Sequence, residues 1–418
     1  MEFREAKEYI DGLNRFGSVL GLESIEALLS VLGNPEETLK VIHVAGTNGK
    51  GSTIAFMEAI LMEAGYKVGK YTSPVVFEYL EKFKINGKNI SEDKFACLAY
   101  RLKEAMERLK IEKDMQPTIF EVETAMAFKY FKDEACDIVL LETGMGGDMD
   151  ATNVCNKVLA SVLVSISLDH MGFLGDSIEE IAYHKAGIIK DSCPVVVMNQ
   201  CSEVLGVVEK RAKEHNSSMY VADATELTVG LNGEWQKYNA GVAVKVMDAL
   251  VEQGYNISKE NIEVGLSKAK WPGRFEKICD NPTIIIDGAH NPDAARRLRE
   301  TLDKEYADTR FVYIMGVLGD KDFAEVIKTM VDRAEYIITV TPPNPRALEA
   351  AKLKEAVEAY NENVCCADNI EEALKKALNK LDEIHNSKGF ENDSAILAFG
   401  SLSYLSEFKN VCKEYGKC

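Results

Sequence analysis

No stretch of this 418-residue sequence nears the ~18 uninterrupted apolar residues of a membrane-spanning helix. The longest apolar runs, such as 158–166, have strand length. The opening MEFREAKEYIDGLNRFG alternates charge with apolar residues and lacks an apolar h-region, so no signal peptide is expected. With 10 prolines and 29 glycines the chain has too little of either for a collagen-like or disordered protein. The ten cysteines include no C-x-x-C pair, and the adjacent Cys365 and Cys366 suit neither a zinc site nor a redox motif. Reduced, mostly buried thiols in a cytoplasmic protein are expected. Positive charge is short as well. Lys plus Arg number 49 against 67 Asp plus Glu, a net charge of −18. That excludes a general nucleic-acid binder, which needs a basic face to displace counterions. What is present is an ordinary soluble composition, 46% hydrophobic and 28% charged, in a chain long enough for two or three domains.

Short β-branched runs alternate with longer amphipathic stretches. LKVIHVAGTNGKG reads as a strand entering a Gly-rich turn, and GSTIAFMEAILMEAGY as a helix stopped by Gly65. DIVLLETGMGG, VLASVLVSIS and CPVVVMN are further buried strands, with SIEEIAYHKAGIIK as a helix between two of them. A second series begins behind Trp271-Pro272-Gly273-Arg274. PTIIIDGAH, RFVYIMGVL, EYIITVT and SAILAFG are its strands; NPDAARRLRETLDKEY, DKDFAEVIKTMVDR, RALEAAKLKEAVEAY and IEEALKKALNKL are its helices. The expected fold is α/β: a P-loop-type, mostly parallel sheet domain, then a smaller Rossmann-like α/β C-terminal domain. The expected boundaries are 1–273 and 280–418, with a hinge at 271–280.

The strongest motif is Gly46-Thr47-Asn48-Gly49-Lys50-Gly51-Ser52-Thr53, between a predicted strand and a predicted helix. Glycines let the backbone wrap a phosphate, and the helix N-terminus adds positive potential. Lys50 would meet the terminal phosphates, and Ser52 or Thr53 a phosphate oxygen or Mg²⁺. The ordinary P-loop, G-x-x-x-x-G-K-[ST], has its hydroxyl directly after Lys. Here Gly51 intervenes, and position 44 is Val. A Gly-rich turn that only caps a helix is the plainer alternative. Glu142 and His170 each follow an apolar run, at the strand ends where ligands gather in open α/β sheets. A lone His there is more often structural; together the two read as Mg²⁺ ligands.

GTNGKGS in this position resembles the Mur-ligase superfamily, the ATP-dependent ligases that form amide bonds. Within it the chain is similar to folylpolyglutamate synthase, including the bacterial form that is also dihydrofolate synthase. YTSP, TIFEVETAMAF, ETGMGGDMDATNV, SLDHMGFLGDSIEEIAYHKAGIIK, WPGRFE, DGAHNP, GDKD and FGSLSYL carry the likeness along most of the chain.

The resemblance implies Mg²⁺ held by Ser73, Glu142 and His170, and a carbamylated Lys185 binding a second Mg²⁺. By itself Lys185 reads as a solvated helix lysine, and Ser73 as a turn residue. The resemblance also implies ATP contacts from Asn239, Arg274 and Asp287, and a pterin site lined by Thr118, Ile119, Phe120, Glu121 and Met149. Arg274, at the proposed hinge, would clamp phosphates; Asp287 would accept from adenosine hydroxyls. His290 and Asn291 are candidates for holding ATP or glutamate, His290 also as the base that frees the amine. Asn291 before Pro292 reads equally as a helix cap. The sequence departs from the family pattern at Val75 (often His) and Asp148 (usually Arg), which bears on the pterin contacts, and at His184 before Lys185 (more often Glu).

The implied reaction adds L-glutamate to tetrahydrofolate or dihydropteroate through an acyl phosphate. Lys50, Lys185 and His290 are its catalytic candidates, and ATP and Mg²⁺ its cofactors. No nucleic-acid or membrane partner is expected, and the expected state is a monomer. Two other readings compete: a Mur-type ligase acting on another carboxylate, and a P-loop ATPase switch that ligates nothing. Only 45 residues precede Gly46, short for the extra domain of the UDP-precursor ligases.

Overall fold

Apart from His43, the run Val41–Ala45 is apolar on both sides of the pleat, as a strand covered on both faces requires, and all five residues are buried. This is β1. The strands after it are β2 (Val68–Tyr71), β3 (Phe83–Ile85), β4 (Lys88–Asn89), β5 (Ile138–Glu142), β6 (Val158–Leu163), β7 (Val195–Met198) and β8 (Met219–Ala222). They form one sheet in the order β4-β3-β2-β5-β1-β6-β7-β8. Only the β2–β3 and β3–β4 pairings are antiparallel. The computed structural model describes residues 1–13, 21–113, 115–169, 171–388 and 394–416.

Because β1, β2, β5 and β6 run parallel, their carboxyl ends share one edge. Val44 lies opposite Glu142 and Val162, and Tyr71 opposite Leu141. The chain lays strands on one side of β1 and then crosses to the other, so β1 marks the switch point where α/β sheets place ligands. The helix after β1, Lys50–Glu63, buries Ile54, Phe56, Met57, Ile60 and Leu61, and so reads apolar on several faces. The helix Lys259–Lys268 comes so close that a Cβ on Gly265 would lie 2.5 Å from Ile60 Cα. The helix stops where Gly65 takes φ +87°, as its sequence predicts.

The chain divides into two compact units, Met1–Gly230 with Gln236–Lys270, and Leu231–Trp235 with Trp271–Cys418. The second is the smaller α/β unit. Its strands are β9 (Glu276–Asp280), β10 (Thr283–Ile286), β11 (Arg310–Met315), β12 (Ala334–Thr339), β13 (Val364–Cys366) and β14 (Ser394–Phe399). Their order is β13-β12-β11-β14-β10-β9, parallel except for β9. A single hinge at 271–280 omits one feature: residues 231–235 also belong to this unit. There Trp235 stacks on the Arg297 guanidinium at 3.5 Å and Glu234 pairs with Lys304 at 2.6 Å. Nothing in LNGEW marks it as more than a loop.

The helix predicted over RALEAAKLKEAVEAY is shorter, Ala350–Glu358. The hydroxyl of Thr341 accepts from Ala350 N at 2.9 Å, and 346–349 stay outside the helix, with Ala347 in an isolated bridge to Leu318. Among the described residues no helix is long and apolar enough to cross a membrane.

Candidate active site

The loop leaving β1 is tied to the strand beside it. Thr47 N donates to the carbonyl of Ser165 (2.7 Å), and the Thr47 hydroxyl donates to the carbonyl of Ser167 (3.1 Å) while accepting from Ser167 N. Gly46 has no room for a side chain: a Cβ would meet Val164 Cγ2 at 2.2 Å. Gly49 takes φ +93°, and a Cβ there would lie 2.4 Å from Asn239 Oδ1. Asn239 is 1% exposed and donates to Gln236 Oε1. Ser52 and Thr53 lie in the first turn of the following helix, both buried.

Lys50 Nζ donates to the carbonyls of Gly46 (3.1 Å) and Thr47 (3.3 Å) and sits 3.9 Å from Glu142 Oε1. Glu142, 5% exposed, ends β5, and its Oε2 accepts from Ser73 N at 3.2 Å. Lys185 corrects its reading as a solvated lysine. It is 4% exposed, and its Nζ donates to the carbonyl of Gly46 at 3.0 Å. The helix Ile178–Lys185 buries Ile181, Ala182 and Lys185, so Lys185 lies on the apolar face, and the helix ends there. Two ammonium groups thus share one carbonyl at the edge of the sheet, and one of them faces a buried carboxylate. His170 lies outside the described residues. Among those described, no three His, Cys, Asp or Glu side chains form a metal-binding group.

The 118–121 segment opens a helix with a closed capping box. Thr118 caps the helix Ile119–Asp133: its N and Oγ1 donate to Glu121 Oε2 (2.7 and 2.8 Å), and Glu121 N donates back to Thr118 Oγ1. Both side chains are buried in this capping box, which the T-x-x-E spacing signals. Phe120 is packed on Gly144, where a Cβ would lie 2.5 Å from its ring, and 6.2 Å from the Tyr71 ring. Ile119 is partly buried beside it, and Met149 is 49% exposed. The departures Asp148 and His184 meet: Asp148 Oδ2 lies 2.9 Å from His184 Nδ1.

In the second unit Asp287 follows β10. Its Oδ2 accepts from Phe275 N (2.8 Å) and its Oδ1 from Ala289 N (2.7 Å). Burial pushes its carboxyl up, while Arg274 and these two donors pull it down. Arg274 is close enough that a Cβ on Gly288 would lie 2.7 Å from its Nη1. His290 Nδ1 donates to the carbonyl of Gly288 at 2.8 Å, which leaves Nε2 as the ring's acceptor in the neutral form. Asn291 is buried and caps the helix Pro292–Glu305, its Oδ1 accepting from Ala294 N.

Residues 44–265 match the Mur ligase middle domain, and residues 273–402 the Mur ligase, glutamate ligase domain. The chain is 34% identical to the dihydrofolate synthase/folylpolyglutamate synthase of Bacillus subtilis (strain 168), over 98% of this chain and 99% of that protein. The chain belongs to the folylpolyglutamate and dihydrofolate synthase family of Mur ligases. Of solved structures, it superposes on folylpolyglutamate synthase of Mycobacterium tuberculosis complexed with ADP and AMPPCP (TM-score 0.91, 27% identity, all of both chains). It also superposes on E. coli FolC in complex with DHPP and ADP (TM-score 0.85, 27% identity, 98% of both chains). In this Mur ligase Gly46–Thr53, Ser73, Glu142, Lys185 and Asn239 fall within the middle-domain match, and Arg274, Asp287 and His290 within the glutamate-ligase match.

Sequence reasoning missed three buried side chains of the middle domain. His43 Nε2 lies 2.8 Å from Thr152 Oγ1, and Thr152 Oγ1 lies 2.5 Å from Asp150 Oδ1. The polar His in the apolar run VIHVA was the available signal.

Proposed function

We propose that this protein couples L-glutamate to the carboxylate of a folate-type acceptor, tetrahydrofolate and also dihydropteroate, with cleavage of ATP to ADP and phosphate. What carries the reading is the meeting of Lys50 and Lys185 on the carbonyl of Gly46, with Glu142 facing Lys50, at the loop that opens a helix. Fixed positive charge at a helix N-terminus favours a polyphosphate and the charge that moves through it. The acceptor carboxylate attacks the γ-phosphorus, giving an acyl phosphate and ADP. The amine of glutamate then adds to the acyl carbon and phosphate leaves. Loop N–H groups and Lys50 hold the triphosphate in line, and positioning supplies much of the rate.

Asn239, Arg274 and Asp287 are proposed as nucleotide contacts. His290 is proposed as the base that takes the amine proton, on Nε2. Phe120, Ile119 and Met149 are proposed to face the acceptor, with Thr118 and Glu121 holding their helix start. Magnesium fits the hard oxygen donors here, the buried Glu142 carboxylate foremost. Ser73, Glu142, His170 and a carbamylated Lys185 are the residues that would hold it. When bound, it supplies cationic charge over the phosphate oxygens. The nine described cysteines are all free thiols, which supports a reducing, cytoplasmic setting.

Phosphate release with ATP, Mg²⁺ and glutamate tests the reading, comparing dihydropteroate with tetrahydrofolate. Turnover with both is expected. Turnover with tetrahydrofolate alone would remove the dihydropteroate activity, and turnover with neither would refute the folate-type acceptor.

A further inference from the structure

We propose that His43, Thr152 and Asp150 form a buried positioning relay that fixes the 143–150 loop as a wall of the acceptor site. The relay would set affinity for the acceptor and leave nucleotide binding alone. The identity of the acceptor rests on the function proposed above; the hold on the loop does not.

The direction of the relay follows from proton counting. Asp150 is buried and faces donors: Met145 N on Oδ2 (2.8 Å), Thr152 N (3.0 Å) and the Thr152 hydroxyl on Oδ1, and Gly144 N. Four donors fit an ionised carboxylate, which accepts only. The single Thr152 proton therefore goes to Asp150, and Thr152 accepts from His43 Nε2–H. His43 is fully buried, and its Nδ1 has no hydrogen-bond partner among the described residues, as the Nε2–H tautomer leaves it. Each group is thereby fixed by the next, as supporting residues fix a binding site.

The loop has little slack through which a shift of Asp150 could be lost. Thr143 N is bonded to the carbonyl of Val44 at 3.0 Å. A Cβ on Gly147 would meet the carbonyl oxygens of Lys185 and His184 at 2.6 and 2.7 Å, and one on Gly144 would meet Phe120. Asp148 N donates to the carbonyl of His184 (3.1 Å), and its carboxylate pairs with the ring. The loop therefore touches Phe120 and the Lys185 turn and carries the exposed Met149, while Asp150 anchors its end. His43 lies on β1, just before the phosphate loop, and ties the two loops to one strand.

Thr152→Val removes the hydroxyl at constant shape, and Thr152→Ser keeps it. His43→Leu removes the donor, and His43→Gln places an amide N–H near Nε2. Two measurements apply: hydrogen–deuterium exchange of residues 143–150 in the nucleotide-free protein, and KM for dihydropteroate against Kd for AMPPCP. In Thr152→Val, exchange across 143–150 and KM for dihydropteroate should each rise about tenfold, with Kd for AMPPCP within about twofold. Thr152→Ser and His43→Gln should stay within about threefold of wild type. Unchanged exchange in Thr152→Val overturns the proposal, as does a Ser variant as impaired as the Val variant, or an equal loss for AMPPCP. If Thr152→Val does not fold, the His43 pair gives the same readouts. Wild-type protein inert with both dihydropteroate and tetrahydrofolate, whose loop still loosens in Thr152→Val, refutes the folate reading and supports the relay's hold.

Discussion

Lys50 and Lys185 both donate to the carbonyl of Gly46, yet they lie 135 positions apart in the chain. Two cations sharing one dipole focus positive potential where the loop N–H groups begin. Removing Lys50 should therefore affect chemistry far more than folding. In Lys50→Ala, turnover should fall at least about 100-fold with an unchanged circular dichroism spectrum. Near-normal turnover would refute the role of the loop. Gly49 is a sharper probe, because its φ of +93° and the 2.4 Å approach to Asn239 Oδ1 both oppose a methyl group. Gly49→Ala should weaken AMPPCP binding about tenfold or more by calorimetry, since the loop must shift to admit the Cβ. Normal affinity would mean that the loop can rearrange at little cost.

Among elements, the helix Ile119–Asp133 opens on a cap that its sequence spells out in T-x-x-E. Its first turn is closed by Thr118 and Glu121, so Thr118→Ala should cost about 1 kcal/mol and lower Tm by roughly 2 °C, with Thr118→Ser restoring it. An unchanged Tm would make the cap dispensable. β1, its glycine loop, the helix that stops at Gly65 and the capped helix after Pro292 were legible, because each is coded within a dozen residues by period, glycine or proline. The burial of Lys185 was legible in principle, as it stands four positions after Ile181 on the apolar face. The pairing of His43 with Thr152 was not, because 109 positions separate them and only the pleat of β1 decides which way His43 points. The Asp148–His184 contact was hidden for the same reason. Each looks like a departure alone, and only the fold shows them as partners.

For the molecule as a whole, His43 ties stability to pH. Burial, reinforced by the charge of Lys190, holds its imidazole down to about 3, against 6.5 for the ordinary side chain. The unfolded chain takes up a proton below pH 6.5, and the folded chain does not until about 3. This contribution is therefore whole above pH 6.5 and declines as pH falls towards 3, at about 1.4 kcal/mol per pH unit. Burial raises the carboxyl of Asp150, which opposes the trend, so the informative quantity is a difference between proteins. From pH 7 to pH 5 the wild type should lose about 2 kcal/mol more than His43→Gln, read from denaturation at each pH. Parallel pH dependences would show that His43 titrates normally when folded.

Residues 231–235 bear on how such ligases can be recombined. Because the smaller unit takes five residues from the middle of the chain, it is a discontinuous domain, and a gene cut once before Trp271 does not encode all of it. A graft of 271–418 from a homologue would lay foreign Arg297 and Lys304 equivalents against the host's Trp235 and Glu234. Chimaeras that move both pieces together keep that stack and ion pair intact, so exchange of acceptor or amino-acid preference by shuffling calls for two crossovers on the near side of Trp271 besides the one there.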